Sequence, residues 1–210
     1  MNGHSTALLA SMLLFAPPAT AFALPPTRLV LHGGPAFVVD EAFQAQADSR
    51  VEGVSETGLE VGLSPSLFIG LSYVARTRSG DVFQTFQTQL DGDAVRLSAS
   101  YALRPLSTLM LYGRAGVSAF FWSQAFTFGD QRLESEDMTP AFLGALGLDF
   151  FFHVPKAPGS AAFEDRLGLG LNVELTYERF IPLELEARGT SLGAFDPSGP
   201  GLLLGLVANF

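Results

Sequence analysis

The last twelve residues of the chain, 199–210, alternate between two kinds of side chain. In an extended strand, one side of this segment carries only apolar residues: Leu202, Leu204, Leu206, Ala208 and Phe210. The opposite side is mixed and mostly small, and the segment contains no charged residue. Apolar residues facing lipid, alternating with small or polar residues facing a lumen, are typical of a transmembrane β-strand. We therefore predict that this segment is a membrane-spanning strand.

Seven earlier stretches alternate in the same way, so eight strands are predicted in all. They cover residues 28–39, 57–64, 67–76, 94–103, 108–122, 141–152 and 166–180. The first either breaks at Pro35 or continues through a bulge there, because proline cannot donate a ladder hydrogen bond. No segment after residue 23 sustains a helical apolar period. The predicted fold is all-β: an eight-stranded antiparallel up-and-down transmembrane β-barrel.

The connections between these strands alternate in length. Short connections are predicted near Pro65, Pro105 and Lys156. Long loops are predicted at residues 40–56, 77–92, 123–138 and 181–198, and the β-prone polar residues of 77–92 suggest that strands continue beyond the membrane there. Single-chain outer-membrane barrels have short periplasmic turns and long exterior loops. This alternation places both chain termini on the periplasmic side.

Charged residues distinguish this barrel from a soluble one. The side opposite the apolar face carries Glu60, Arg96, Arg114, Asp149, Glu174 and Glu178. A soluble lipocalin-like barrel or β-sandwich turns its apolar side inward, and a barrel that encloses charges must pair them, because an unpaired buried ion costs several kcal/mol. The pattern therefore favours an apolar exterior and an ionic lumen.

Composition supports this interpretation. The net charge of −9 argues against a nucleic-acid partner, and the absence of cysteine excludes disulfides and thiol chemistry. After residue 27, no uncharged stretch reaches the length that a membrane helix needs. Residues 1–23 lack Asp, Glu, Lys and Arg, and a short apolar run precedes Ala21-Phe22-Ala23, as in a secretory signal peptide. We predict a signal peptide at 1–23 and a barrel domain at 24–210.

Several segments carry a resemblance to a known family. They are LEVGLSPSLFIGLSY (59–73), GRAGVSAFF (113–121), AFLGALGLDF (141–150) and the terminal LLLGLVANF. Together, residues 28–210 resemble the small eight-stranded OmpA-like or OmpX-like outer-membrane barrels. The chain differs from two-domain members in ending at Phe210, so no tether to the cell wall is expected.

The resemblance implies a location and partners. It implies a monomer in the outer membrane of a Gram-negative cell, surrounded by outer-membrane lipid and lipopolysaccharide. In that family the terminal aromatic residue, here Phe210, is the signal read by the barrel-assembly machinery. The implied role is envelope integrity, or recognition and adhesion through four extracellular loops.

Two groups of residues are predicted to act inside and around the barrel. Because an eight-stranded barrel is just wide enough for side chains to fill it, we predict an ion-pair network that plugs the lumen: Glu60, Arg76, Arg96, Arg114, Asp149, Glu174 and Glu178. An aromatic girdle at the two membrane interfaces is predicted at Tyr73, Tyr101, Phe121, Trp122, Phe150, Phe152 and Tyr177.

Enzymatic and metal chemistry find little support. His32 is predicted to be a lumen packing residue and His153 lies at a turn, so no nucleophile–base pair is apparent. The acidic residues Glu134, Glu136 and Asp137 could hold a hard cation, but the pattern favours a solvated, aggregation-resistant loop. No catalytic, cofactor or metal site is predicted. A small channel, a carrier of hydrophobic molecules and a lipid-modifying enzyme remain the alternative functions.

Overall fold

The computed structural model describes residues 25–40, 50–82, 86–128, 130–154, 167–187 and 190–210. The predicted signal peptide at 1–23 and the connection near Lys156 lie outside these residues. Ten strands are present in the described chain: β1 (Thr27–Phe37), β2 (Val51–Gly62), β3 (Leu67–Val82), β4 (Phe86–Leu106), β5 (Leu109–Phe128), β6 (Gln131–His153), β7 (Gly168–Phe180), β8 (Leu183–Ala187), β9 (Thr190–Phe195) and β10 (Gly199–Asn209).

Eight of these strands close into a barrel in the order β1-β2-β3-β4-β5-β6-β7-β10, and every pair is antiparallel. The first and last strands pair directly, with Leu29 opposite Ala208 and Leu31 opposite Leu206. The predicted eight-stranded up-and-down barrel is confirmed. Within the described ranges, no helix has the length and apolar character needed to span a bilayer.

The barrel has two distinct ends. The terminal end carries Thr27 and Phe210, whose backbones pair through two hydrogen bonds of 2.8 and 2.9 Å, together with the turns at 63–66 and 107–108. The hairpin end carries the outer parts of β3–β6 and the small two-stranded sheet β8–β9, which lies between β7 and β10 in sequence. The terminal end is the one that the sequence assigns to the periplasm.

Strand boundaries at the hairpin end differ from the prediction. β2 begins at Val51, inside the predicted loop 40–56, and β5 and β6 together occupy nearly all of the predicted loop 123–138. The predicted loop 181–198 contains β8 and β9. The loop predictions were wrong here because polarity does not distinguish a loop from a strand: polar residues also alternate along strands whose backbones pair with their neighbours.

Two proline positions show how the wall accommodates a missing donor. β1 runs through Pro35 without ending, and its pairing with β10 omits Gly34 and Pro35 while its pairing with β2 continues. β4 continues past Pro105 to Leu106, with a register shift after Leu103, so the turn lies at 107–108. The turn predicted around Pro105 therefore falls slightly later in the chain.

The wall is apolar outside, and its interior holds charged and polar side chains together with apolar ones. Leu171 and Leu204 are 51% and 56% exposed at the middle of β7 and β10, whereas Glu174 is fully buried and Arg114 is 7% exposed. On β7 the burial alternates without interruption from Gly168 to Phe180. This distribution is the reverse of a water-soluble barrel, in which large apolar side chains fill the interior.

Candidate functional site

The lumen is filled by side chains in three layers, which the inward face of β5 shows in order. From the terminal end it carries Met110 and Tyr112, then Arg114, and finally Phe120 and Trp122. Met110 and Tyr112 belong to a buried terminal-end cluster with Val30, Phe68, Ala102, Phe151 and Val207. Phe120 and Trp122 belong to a larger hairpin-end cluster with Ala36, Val38, Val54, Val74, Leu90, Ala94, Ala141, Phe180, Leu183, Phe195 and Leu203. Ion pairs lie between the two clusters and contact both of them, through Arg28 at Tyr112 and Arg76 at Phe180.

Arg114 lies at the centre of the ion-pair layer. Its Nη1 and Nη2 donate to the two carboxylate oxygens of Glu56 at 2.6 and 3.1 Å, and Nη2 also donates to Glu174. Arg96 donates to Glu56 at 2.6 Å and forms an ion pair with Glu178. Arg114 and Arg96 therefore each bind two carboxylates, and Glu56 binds both guanidiniums.

A second group of ion pairs is organised by Arg28 near the terminal end. Its Nε and Nη2 each donate to one oxygen of Asp149 at 2.9 Å, which is the bidentate geometry that favours arginine. Nη1 donates to Glu60 at 2.6 Å, and the guanidinium lies 4.4 Å from the centre of the Tyr112 ring. Ser100 donates to the other oxygen of Glu60 at 2.9 Å.

A third group is centred on Arg76, closer to the hairpin end. Arg76 donates to Glu52 at 2.9 Å and to Glu178, and it lies 4.8 Å from the centre of the Phe180 ring. All seven residues predicted for the lumen network are buried inside the barrel, and each makes at least one ion pair with another buried residue.

Sequence reasoning missed Arg28, Glu52 and Glu56 in this network. Arg28 is the first residue of the predicted strand 28–39, but the predicted network does not include it. Glu52 and Glu56 fell within the predicted loop 40–56. The signal that could have found them is the alternation VEGVSETGLEVG, which puts Glu52, Glu56 and Glu60 on one face of a single strand.

The described buried charges nearly balance. Six carboxylates face five guanidiniums and one imidazole: Glu52, Glu56, Glu60, Asp149, Glu174 and Glu178 against Arg28, Arg76, Arg78, Arg96, Arg114 and His32. Breaking a buried pair by removing one partner typically costs about 3–5 kcal/mol, because it leaves an uncompensated charge. The layer is therefore rigid, since each side chain fixes the position of its neighbours.

His32 belongs to this layer. Its Nδ1 lies 3.0 Å from the Asn172 side-chain oxygen, and its Nε2 lies 3.2 Å from Glu56 Oε2. The Asn172 amide nitrogen donates to Tyr112 and to Asp149 at 2.8 and 2.7 Å, which fixes the direction of the amide. The described polar contacts of His32 are thus with an amide and a carboxylate rather than with a hydroxyl nucleophile.

His32, Glu56 and Glu174 have ligand atoms within 4.8 Å of one another. They do not fit a metal ion, because Arg114 already binds both carboxylates and Arg96 binds Glu56. A divalent cation at this point would lie beside two guanidiniums. The acidic residues of the predicted third loop are exposed on β6 instead. Glu134 pairs with Arg132 at 2.6 Å, and Asp137 accepts a hydrogen bond from the next backbone amide.

One residue predicted for the aromatic girdle lies elsewhere. Trp122 is only 3% exposed and lies inside the barrel, where its ring contacts Phe195 edge-on at a centroid distance of 6.3 Å. The prediction was wrong because Phe121 and Trp122 are consecutive, and consecutive strand residues face opposite sides. The other girdle residues are exposed on the outer wall: Tyr73, Tyr101, Phe121, Phe150, Phe152 and Tyr177.

A closed eight-stranded wall with an apolar exterior and a filled ionic lumen defines the class of small transmembrane β-barrels. Solved structures share this fold. The chain is similar to the N-terminal β-barrel domain of Pseudomonas aeruginosa OprF (TM-score 0.51, 13% identity, covering 89% of this chain and 98% of that one). It is also similar to Ail, the attachment invasion locus protein of Yersinia pestis, with a TM-score of 0.52 and 10% identity over 89% of this chain and 99% of that one. Neisserial surface protein A is a third such structure, with a TM-score of 0.50 and 12% identity over 89% of this chain and 96% of that one.

The resemblance to the small eight-stranded outer-membrane barrels is thereby confirmed at the level of fold. No protein-family model matches the chain, and no curated protein matches it. Sequence identities of 10–13% carry the architecture but no residue roles.

Proposed function

We propose that this protein is an integral outer-membrane barrel of a Gram-negative envelope, which anchors surface structure rather than passing solutes. The observation that carries the proposal is the inside-out wall, with large apolar side chains exposed on every barrel strand and charged ones paired inside. Exposed apolar area on this scale requires lipid around it, because a water-soluble monomer rarely leaves more than a few hundred Å² of contiguous apolar surface uncovered.

The filled lumen supports an anchor over a channel or carrier. An ion path would have to cross the terminal-end cluster, the ion-pair layer and the hairpin-end cluster in turn. Moving Arg114 aside would leave Glu56 and Glu174 without their strongest described partner. A lipid-modifying enzyme has no observation in its favour, since the described partners of His32 are an amide and a carboxylate.

The long strands at the hairpin end support display of surface structure. β5 and β6 contain 20 and 23 residues, whereas a tilted membrane strand needs only about 9–11. Beyond the apolar band the outward side chains become polar, with Thr77 and Gln89 both donating to Asp91 at 2.8 and 2.6 Å. One protein of this fold is named for attachment and invasion, so a recognition or adhesion role suits the architecture.

Orientation and partners complete the proposal. Both termini lie in the periplasm, the hairpin end faces outward, and the barrel is a monomer surrounded by lipid and lipopolysaccharide. Phe210 and the terminal strand serve as the assembly signal for the barrel-assembly machinery. No nucleic acid, cofactor or metal takes part.

The membrane proposal is tested by replacing Leu204 with arginine. A charge on the lipid face near mid-bilayer is expected to lower the free energy of unfolding by about 2–4 kcal/mol. Urea titration in lipid vesicles, read by heat-modifiable gel mobility, measures the loss. The matched control is Leu63→Arg in the turn at the terminal end, where the expected loss is about 0–1 kcal/mol. Equal losses at both sites would contradict a lipid-facing wall.

The closed lumen is tested by planar bilayer recording of the purified protein. We expect no discrete conductance steps at any salt concentration, because an ion would have to pass three layers of buried side chains in the described barrel. Reproducible steps from the native protein would favour the channel alternative.

A further inference from the structure

The first and last strands of the barrel, β1 and β10, meet in a seam whose two halves are built differently. At the terminal end, Thr27 and Phe210 exchange both backbone hydrogen bonds, at 2.8 and 2.9 Å. Such exchanging pairs occur at every second position of an antiparallel ladder. Odd-numbered residues of β1 therefore direct their N–H and C=O groups at β10. Even-numbered ones direct them at β2, and just beyond β1 Val38 likewise donates to Arg50 O at 2.9 Å.

Two consecutive exchanging pairs nearer the hairpin end contain a proline. The register of the seam puts Pro35 opposite Leu202 and Phe37 opposite Pro200. Because proline has no N–H, the carbonyls of Leu202 and Phe37 lose the donors that would face them across the seam. On both strands, the part of the seam closer to the terminal end contains no proline, so its exchanging pairs can be complete.

The next exchanging pair towards the hairpin end differs from a regular ladder as well. Val39 donates to Ser198 O at 3.1 Å, but the Ser198 amide donates to the Asp196 side chain at 2.9 Å. Three consecutive pairs, each with two possible bonds, therefore form at most three ladder bonds instead of six. We define residues 34–39 and 198–203 as the outer half of the seam.

A third proline in the wall shows how a missing donor is otherwise replaced. Pro140 of β6 faces the end of β7, because the Ile181 amide donates to Pro140 O at 3.3 Å. The Ile181 carbonyl has no N–H opposite it there, and the Thr139 hydroxyl donates to it at 3.0 Å instead. A side chain thus restores the bond that Pro140 removes.

The two carbonyls in the seam lie against glycines. A Cβ added at Gly34 would overlap the Leu202 oxygen, and a Cβ added at Gly199 would overlap the Phe37 oxygen. Each oxygen therefore faces a glycine Cα where a ladder would supply an N–H. Because a Cα–H contact is weaker than an N–H hydrogen bond, the wall is closed less firmly at this point.

We propose that the outer half of the seam is a lateral opening built into the wall, at which the two strands separate locally while the other ladders stay paired. Within a bilayer, every ladder bond that breaks leaves backbone groups without a partner, which is costly. The outer half of the seam has fewer such bonds to lose. Local opening therefore requires the least free energy there.

The opening connects two apolar regions. On the lumen side it is bordered by Ala36, Val38 and Leu203 of the hairpin-end cluster. On the outside it is bordered by Phe37 and Leu202, which are exposed on the wall. Lipid acyl chains, and not ions, therefore contact both edges when they separate. The ion-pair layer stays closed beneath, so the opening adds a lateral movement to the anchor without creating an axial path.

Amide hydrogen exchange of the full chain in lipid nanodiscs, followed residue by residue by NMR, tests the opening. Leu202 and Phe37 direct their amides into the seam, whereas the adjacent Leu203 and Ala36 direct theirs at β7 and β2. After correction for intrinsic rates, we expect exchange at Leu202 and Phe37 to be about ten-fold faster than at these neighbours. Equal rates would overturn the proposal. Equally fast exchange at Leu206 would show that the whole seam opens, and would overturn it too.

A proline replacement supplies the missing donor. Pro35→Val gives residue 35 an N–H opposite the Leu202 carbonyl and should slow exchange at Leu202 and Phe37 roughly five-fold, the weight of one ladder hydrogen bond. Pro140→Val is the matched control: the Ile181 carbonyl already has a donor, so exchange in the seam should stay unchanged. Unchanged exchange in Pro35→Val, or an equal effect of Pro140→Val, would contradict the role of the missing donors. Heat-modifiable mobility verifies that each variant is folded, and the native measurement decides without either variant.

Discussion

The ion-pair layer and the hairpin-end cluster fill the same lumen in different ways. In the ion-pair layer, every described carboxylate binds a guanidinium, and the groups come from strands on all sides of the wall. In the hairpin-end cluster, two of the filling side chains, Leu183 and Phe195, come from a hairpin outside the barrel ladder.

The difference shows that being buried and being fixed are separate properties. Arg114 and Phe195 are both buried, but removing Arg114 from its place separates it from two anionic partners, whereas the described contacts of the Phe195 ring are with Trp122 and the apolar hairpin-end cluster. Local opening follows the weakest contiguous unit of a structure. We expect the ion-pair layer to open only with the whole barrel and the hairpin to open alone.

The largest effect is expected from Arg114→Met. The change keeps an unbranched side chain but leaves Glu56 and Glu174 without this cation, which should lower the free energy of unfolding by about 3–5 kcal/mol. Urea unfolding in micelles, followed by gel mobility, measures it. Arg132→Met removes an arginine from the exposed pair with Glu134 and should change stability by no more than about 1 kcal/mol. Similar losses in both variants would remove the distinction between interior and exterior ion pairs.

The sharpest test of the comparison replaces two phenylalanines from one cluster. Phe180 and Phe195 are equally buried, but Phe180 belongs to the barrel wall and Phe195 to the hairpin. Phe180→Ala should lower the free energy of global unfolding by about 3–5 kcal/mol, as for other buried phenylalanines. Phe195→Ala should lower it by less than about 1 kcal/mol, because β8 and β9 form a separate two-stranded sheet in the described chain and share no ladder with the barrel wall. If the two variants lose the same amount, the hairpin is an integral part of the wall.

A smaller effect is expected from glycines that make room for the network. A Cβ added at Gly147 would overlap the Tyr112 ring, whose hydroxyl donates to Glu174 at 2.7 Å. Gly147→Ala should therefore cost about 1–3 kcal/mol by displacing that ring. Gly144→Ala on the same strand meets nothing within 4 Å and should stay within about 0.5 kcal/mol of the native protein. A neutral Gly147→Ala would show that the layer tolerates displacement of Tyr112.

The alternation of apolar and polar residues predicted strands and side-chain directions correctly wherever the two kinds of residue occupy opposite faces of a strand. It predicted β7 and β10 almost to their ends, and it placed Glu174 inside and Leu204 outside. The same rule places Trp122 inside, because it follows the outward-facing Phe121. The girdle prediction instead placed both residues on the outer wall. An aromatic girdle describes the depth of a residue in the bilayer, whereas alternation along the strand decides whether that residue faces lipid or lumen.

Other features could not be obtained from local pattern. Glu56 follows the alternation of its strand, but its role depends on Arg96 and Arg114, which lie 40 and 58 residues away in the chain. The hairpin β8–β9 is short. Its residues Leu183 and Phe195 are buried only because they pack in one cluster with Trp122 and Phe180 of the barrel. Neither arrangement can be derived until the barrel has brought these strands together.

By itself, the sequence determined the architecture: the side-chain period of two fixes which residues face lipid and which face the lumen, because a strand turns each successive side chain to the opposite face. The tertiary structure alone decided which inward charges become partners and what closes the hairpin end. Closure of the wall brings side chains from distant strands within hydrogen-bonding distance, and such contacts depend on register and strand length, which no local pattern encodes.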